Sequence, residues 1–292
     1  MIKRVGLFIL TNLLVMIAAS FLINLIMGVL GIKAGGMSGL LVICLVWGSV
    51  GSFISLLISK WMAKKMMNLQ IVDSSGPYKD LVRKIELLAE QSGITKAPEV
   101  AIYQSNEINA FATGPSKNNS LVAVSTGLLT NMNSEELDGV LAHEISHIAN
   151  GDMITMALIQ GVVNAFVMFL SRIVASIIDN AISGDDDDGE GLGYFAYFIV
   201  VSILDLLFGI LASPIVMGFS RWREYRADAG SASLVGKEKM IKALEKLKSN
   251  IGSLEKRESN IKVMQINSKS SLSLFFSSHP SLENRIQALK NL

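Results

Sequence analysis

One cysteine and three histidines are all that 292 residues hold of the thiol and imidazole side chains, and only 17% of the chain is charged. The lone Cys44 lies inside an apolar run, which excludes an intrachain disulfide and a cysteine-rich metal knuckle alike and fits a reducing compartment. Charge of one sign is also missing, since 26 lysines and arginines face 25 acids. No overall basic field marks a nucleic-acid binder, and nucleic acid is not an expected partner. No internal repeat is found. The chain is instead rich in apolar residues, at 50% with a mean hydropathy of +0.45, which points to a lipid bilayer as its partner.

Four apolar stretches approach or exceed the length a helix needs to cross the hydrocarbon: Val5 to Leu30, Leu40 to Ser59, Ile154 to Ile178 and Tyr194 to Gly218. The first follows Lys3 and Arg4 but runs on past the small residues Ala18, Ala19 and Ser20, so it reads as a retained anchor and not a cleaved signal. The second ends at Lys60, Lys64 and Lys65, and the fourth at Arg221, Arg223 and Arg226. The third and fourth are joined by "DNAISGDDDDGEG", which has acids and no base. The positive-inside rule therefore puts both chain ends in the cytoplasm and the acidic connector outside. That connector resembles a calcium loop only superficially, because with Gly189 as the turn glycine Gly184 and Phe195 fall at ligand positions. Arg172 lies near enough to the loop to snorkel, whereas Asp205 is an open functional suspect within the fourth segment.

Four regions follow: a transmembrane hairpin at 1–65, a first part of a cytoplasmic domain at 66–152, a second hairpin at 153–220, and the rest of the cytoplasmic domain at 221–292. The expected fold is an α-helical integral membrane protein of about four transmembrane helices in two hairpins. Its soluble domain should be mainly helical with a small sheet. Leu81, Ile85 and Leu88 share a helical face ending at Gly93, and "EVAIYQ", "INAFATG" and "LVAVSTGLL" read as short strands. Ser134 is expected to cap a helix opened by Glu135 and Glu136. Met240, Leu244 and Leu247 mark another helix, "KRESNIKVMQINSKSS" a mobile polar link, and a last helix should begin near Ser281.

Two of the three histidines stand in "VLAHEISHIANGD". Four residues on a helix advance 400°, so His143 and His147 lie one turn apart on one face, where both imidazoles can hold one ion. Glu144 flanks that face and can take a proton from metal-bound water, the arrangement of a zinc metalloprotease. Two protein ligands are too few for such a site. The third is His279 or a carboxylate, and "EYRAD" supplies Glu224, which we assign to the metal. Asp228, one turn on, can accept the ring N–H of a liganding histidine. The bland alternative is a juxtamembrane helix whose acids only balance its arginines.

"HEISH", "EYRAD", "NAFATG" and "HPSLENR", in this order among four apolar segments, resemble the HtpX family of membrane-bound zinc endopeptidases, relatives of the CAAX prenyl protease. The resemblance spans nearly the whole chain. It implies a gluzincin-like catalytic domain facing the cytoplasm of a bacterial inner membrane. His143, His147 and Glu224 would hold one Zn2+ per chain, with Glu144 as base. Its implied task is quality control of misfolded membrane proteins under stress, with membrane-protein or unfolded polypeptide substrates and other membrane quality-control proteases as candidate partners. Asn109 would hold an extended substrate beside the metal or order the site. Pro280 keeps His279 extended and Ser281 can cap the following helix, so His279 and Arg285 can converge on one point and serve the transition state. Two other functions compete: a non-cleaving scaffold with a structural zinc, and a CAAX-type peptidase of lipid-linked substrates.

Overall fold

The computed structural model describes residue 17 and residues 21–32, 36–183, 191–259 and 279–292. Much of the first apolar segment, the acidic run at 184–190 and the polar link from residue 260 onward lie outside the described residues. In chain order the described elements are α1 (Phe21–Leu30), α2 (Met37–Met66), β1 (Gln70–Val72), α3 (Lys79–Gln91), β2 (Glu99–Tyr103), β3 (Ala110–Ser116), β4 (Asn119–Ser125), α4 (Thr126–Asn131), α5 (Ser134–Asn150), α6 (Asp152–Ser183), α7 (Gly193–Val235), α8 (Lys237–Ser259) and α9 (Leu282–Lys290). They form two compact units, one from Met1–Ser55 with Met156–Val216 and one from Leu56–Thr155 with Met217–Leu292.

In the first unit α2, α6 and α7 are long and apolar enough to cross a membrane, and α1 is a shorter apolar helix. Phe166, Phe198, Ile203 and Leu211 stay exposed, as side chains facing lipid should. A Cβ on Gly48 would sit 2.5 Å from the backbone nitrogen of Ala165, so the missing side chain is what lets α2 meet α6. The expectation that Arg172 snorkels toward the loop is wrong. Its Nη1 donates to the Met168 carbonyl at 2.9 Å, one turn further from the loop than Arg172 itself, and approaches Asp205 Oδ2 at 3.9 Å. A countercharge on the next helix costs less than a reach through lipid, and it gives Asp205 a partner.

The second unit is built on a four-stranded mixed sheet of order β1-β2-β4-β3. β1 and β3 pair antiparallel with β2 and β4, while β2 and β4 run parallel. β4 is buried at six of its seven positions, with the apolar run Leu121 to Val124 between the buried Ser120 and Ser125. Leu81, Ile85 and Leu88 of α3 and Leu141, Ile145 and Ile148 of α5 pack with Val100, Ile102, Val122 and Val124 of the sheet in one core. Met240 and Leu244 of α8 close on Ile286 and Leu289 of α9 in another.

"LVAVSTGLL" is not all strand. Its chain turns at Ser125, whose hydroxyl accepts from Leu128 N at 3.0 Å as the N-cap of α4. The same oxygen donates to the Glu107 carbonyl at 2.6 Å and accepts from Asn109 N at 3.2 Å. One serine thereby fixes the bend that leads into β3. The cap of α5 is Asn133 and not Ser134: Asn133 Oδ1 accepts from Glu135 N and Glu136 N at 3.0 Å, and Glu136 Oε2 accepts from Asn133 N at 2.9 Å. Asparagine wins because this reciprocal box satisfies orphan donors on both sides. At the other end Gly151 adopts φ 70°, a left-handed cap that terminates α5 and lets α6 start at once.

Candidate metal centre and active site

Both histidines of α5 are buried, and each has its Nδ1 against a carboxylate. His147 Nδ1 lies 2.6 Å from Asp152 Oδ2, and His143 Nδ1 lies 3.0 Å from Asp228 Oδ1. With Nδ1–H donating in each, both Nε2 lone pairs are left free, and these two atoms stand 3.1 Å apart. α7 continues unbroken past Gly218 and delivers Glu224 and Asp228 on one face. Glu224 Oε1 is 3.4 Å from His147 Nε2 and Oε2 is 3.6 Å from His143 Nε2. Close helix approach makes this convergence possible. A Cβ on Gly230 would lie 2.5 Å from Ser146 Oγ, and one on Gly139 would lie 2.7 Å from the Lys239 carbonyl.

One ligand atom from each of His143, His147 and Glu224 lies within 4.8 Å of the others. Two imidazole lone pairs facing each other beside a buried carboxylate form a donor set that fits a divalent cation. Without one, protons must hold the cluster together. Burial works against a charged His147, yet hydrogen bonds with Asp152 and Glu224 outweigh it and bring its pKa to about 9. Burial would raise Glu224, but hydrogen bonds from His143, His147 and His279 hold it far below the carboxylate range. Asp228 is likewise lowered, burial being outweighed by Arg285 and His143. Arg285 in turn is raised, since Asp228 overcomes its burial.

Arg285 is buried and spends its fork on Asp228, donating from Nε at 2.8 Å to Oδ2 and from Nη2 at 2.6 Å to Oδ1. His279 Nδ1 and Arg285 Nη1 do meet at one atom, Glu224 Oε2, at 3.0 Å and 3.4 Å. Ser281 caps α9 through Asn284 N, which sets that convergence. Arg285 thus holds Asp228 and through it His143, while His279, 60% exposed at its side chain, stands at the open side. Glu144 and Asn109 line the cleft in front of the histidines. Two residues escaped the sequence reading. Asp152 follows the glycine cap, so the chain reversal at Gly151 is the signal that brings the first residue of α6 back onto His147. Arg223 reads as a balancing charge, yet it lines the cleft beside Glu224.

The model for Peptidase family M48 matches residues 77–292, which include every residue of this cluster. The chain belongs to peptidase family M48. This M48 member is 54% identical over 292 residues to "Protease HtpX" of Shewanella pealeana and 55% identical over 291 residues to that of Shewanella denitrificans, with 99% of both chains covered each time. Its fold is similar to the crystal structure of S. mikatae Ste24p, with a TM-score of 0.61 at 20% identity. That match covers 99% of this chain and 66% of the solved one. The M48 member described here is a membrane protein and a metalloprotease.

Proposed function

We propose that the chain is a zinc endopeptidase of the bacterial inner membrane that cuts misfolded or damaged membrane proteins on the cytoplasmic side. The convergence of His143, His147 and Glu224 beside Glu144 carries the reading. Zinc is supported by the donor set, since two imidazoles and one carboxylate, one ligand atom of each within 4.8 Å of the others, match a ligand set used by catalytic zinc sites. When bound there, zinc would polarise a water molecule and the scissile carbonyl.

The chain's own residues then do the rest. Glu144 takes the proton of the attacking water and passes it to the departing amine. His279 donates toward the carbonyl oxygen as its charge grows, a contribution worth about 10² to 10³ in rate. Asp228 and Asp152 hold the imidazoles in the tautomer that offers Nε2. β3 pairs with one neighbour, β4, in the described sheet, so its other edge can take an extended substrate backbone, with Asn109 beside it. Open clefts of about 160 and 270 Å³ reach the ligands, which suits turnover better than a closed structural site.

Lys64 and Lys65 at the end of α2, and the arginines near residue 221, support a cytoplasmic active site. The test uses the full chain in detergent with unfolded casein as substrate. Chelation should abolish cleavage and zinc should restore it, while cysteine labelling in cells should reach position 119 from the cytoplasm and position 186 from outside. Cleavage that persists in chelator would remove the metal from the mechanism, and labelling of position 186 from the cytoplasm alone would reverse the topology.

A further inference from the structure

The two clefts at the metal centre lie in series along β3. Both contain Ala110, His143 and Glu144, but only the first reaches Ile108, and only the second reaches Phe111 and Ala112. An extended peptide laid along this edge advances about 3.4 Å per residue with side chains alternating between faces, so one bound segment enters both clefts with its reacting bond between them. Their chemistry differs. The first is walled by Leu128, Val140, Met240 and Leu244. The second is lined by Arg223 together with Phe111 and Ala112 of β3.

Arg223 is poorly used by its own protein. Its contact with Glu224 is a single 3.5 Å approach from Nη2, and its Nε is buried without a hydrogen-bond partner among the described residues. Glu224 already divides its charge among His143, His147 and His279. The guanidinium is therefore a planar group with unused hydrogen-bond donors, 24% exposed at its side chain and lining the cleft. The exposed part of the guanidinium, and not the buried Nε, is what a ligand carboxylate can reach, and guanidinium matches carboxylate in shape and charge.

We infer that Arg223 is a specificity-determining residue, resting on the endopeptidase reading above, and that it selects substrates with an acidic side chain within two residues of the cut, on the Ala112 side of the cleft. The opposite side takes apolar residues. The enzyme thus favours the acidic margins of apolar segments over their centres.

The test is a set of peptides cut by the zinc-loaded full chain, identical except for Glu, Gln or Lys at each of the two positions flanking the bond on either side. One position, on one side only, should prefer Glu over Gln by about tenfold to a hundredfold in kcat/KM, the worth of one charge-assisted hydrogen bond. Arg223→Gln should bring that ratio toward one, and Arg223→Glu should turn it toward Lys. Labelled peptides binding to the Glu144→Gln protein should show the same order in Kd. Cleavage with no charge preference at any position overturns the inference and leaves the endopeptidase reading intact. Failure of the zinc-loaded wild type to cut any peptide overturns both. Weaker zinc binding by Arg223→Gln, with the Glu/Gln ratio of the zinc-reloaded variant unchanged, would assign Arg223 to holding Glu224 and overturn its role in selection.

Discussion

Asp228→Asn is a change of one atom that should damage both metal binding and the fold. The carboxylate accepts from Arg285 Nε at 2.8 Å, from Arg285 Nη2 at 2.6 Å and from His143 Nδ1 at 3.0 Å. Oδ1 serves two of these donors and Oδ2 one. If the asparagine oxygen keeps the place of Oδ1, its NH2 faces Arg285 Nε, donor against donor. If it takes the place of Oδ2, His143 loses the acceptor that sets its tautomer. Either way a buried guanidinium loses its paired countercharge and keeps only Glu224 Oε2, 3.4 Å from Nη1, so the cost is at most about 3–5 kcal/mol. Disturbing the partner of a liganding histidine weakens metal binding about 10- to 100-fold, or about 1.4 to 2.7 kcal/mol. Zinc affinity would be measured by chelator competition and stability by thermal unfolding in detergent. Adding Arg285→Met should recover much of the lost stability, because the cation is then gone too, so the two changes are not additive. An Asp228→Asn protein that holds zinc as tightly as wild type and unfolds at the same temperature would refute this account of the cluster.

The metal-free protein should depend on pH through His147. Its pKa near 9 lies above the ordinary 6.5, so the charged ring stabilises the fold fully below pH 6.5, and this is lost as pH rises through 9. The same proton must leave when zinc binds, so zinc affinity should rise about tenfold per pH unit across that window, and chelator competition showing none would contradict it. Gly230→Ala places a methyl 2.5 Å from Ser146 Oγ and should push α7 off α5. The overpacking should cost about 1–3 kcal/mol and lower zinc occupancy, and an unchanged unfolding temperature and metal content would count against the close approach. Arg172→Met leaves Asp205 without its countercharge and should lower the amount of protein integrated in membranes. Adding Asp205→Leu should restore it, and failure to do so would deny the pair.

The sequence made the centre of the site legible because helix geometry alone carries it. A spacing of four residues puts His143 beside His147, and Glu224 beside the level of Asp228, without any knowledge of the fold. Apolar runs of membrane-spanning length are equally plain for α2, α6 and α7. What stayed hidden depends on tertiary contact or on chain reversal. β1 has three residues, too few for a period, and exists because it pairs antiparallel with β2. Asp152 reaches His147 only because Gly151 turns left-handed between two helices. The partner of Arg172 lies on another helix, and that of Arg285 lies 57 residues away. The choice of Asn133 over Ser134 as the cap rests on which side chain closes a box with Glu136, and both residue types suit the position.

The central claim is that a metal held by His143, His147 and Glu224 works with Glu144 as the proton acceptor. Its most direct test is the rate of casein cleavage by Glu144→Gln relative to wild type, each measured with its zinc content. Glu144 is outside the ligand set, so the variant should retain one zinc per chain and lose nearly all turnover. A fully zinc-loaded Glu144→Gln protein cutting at the wild-type rate would contradict the claim.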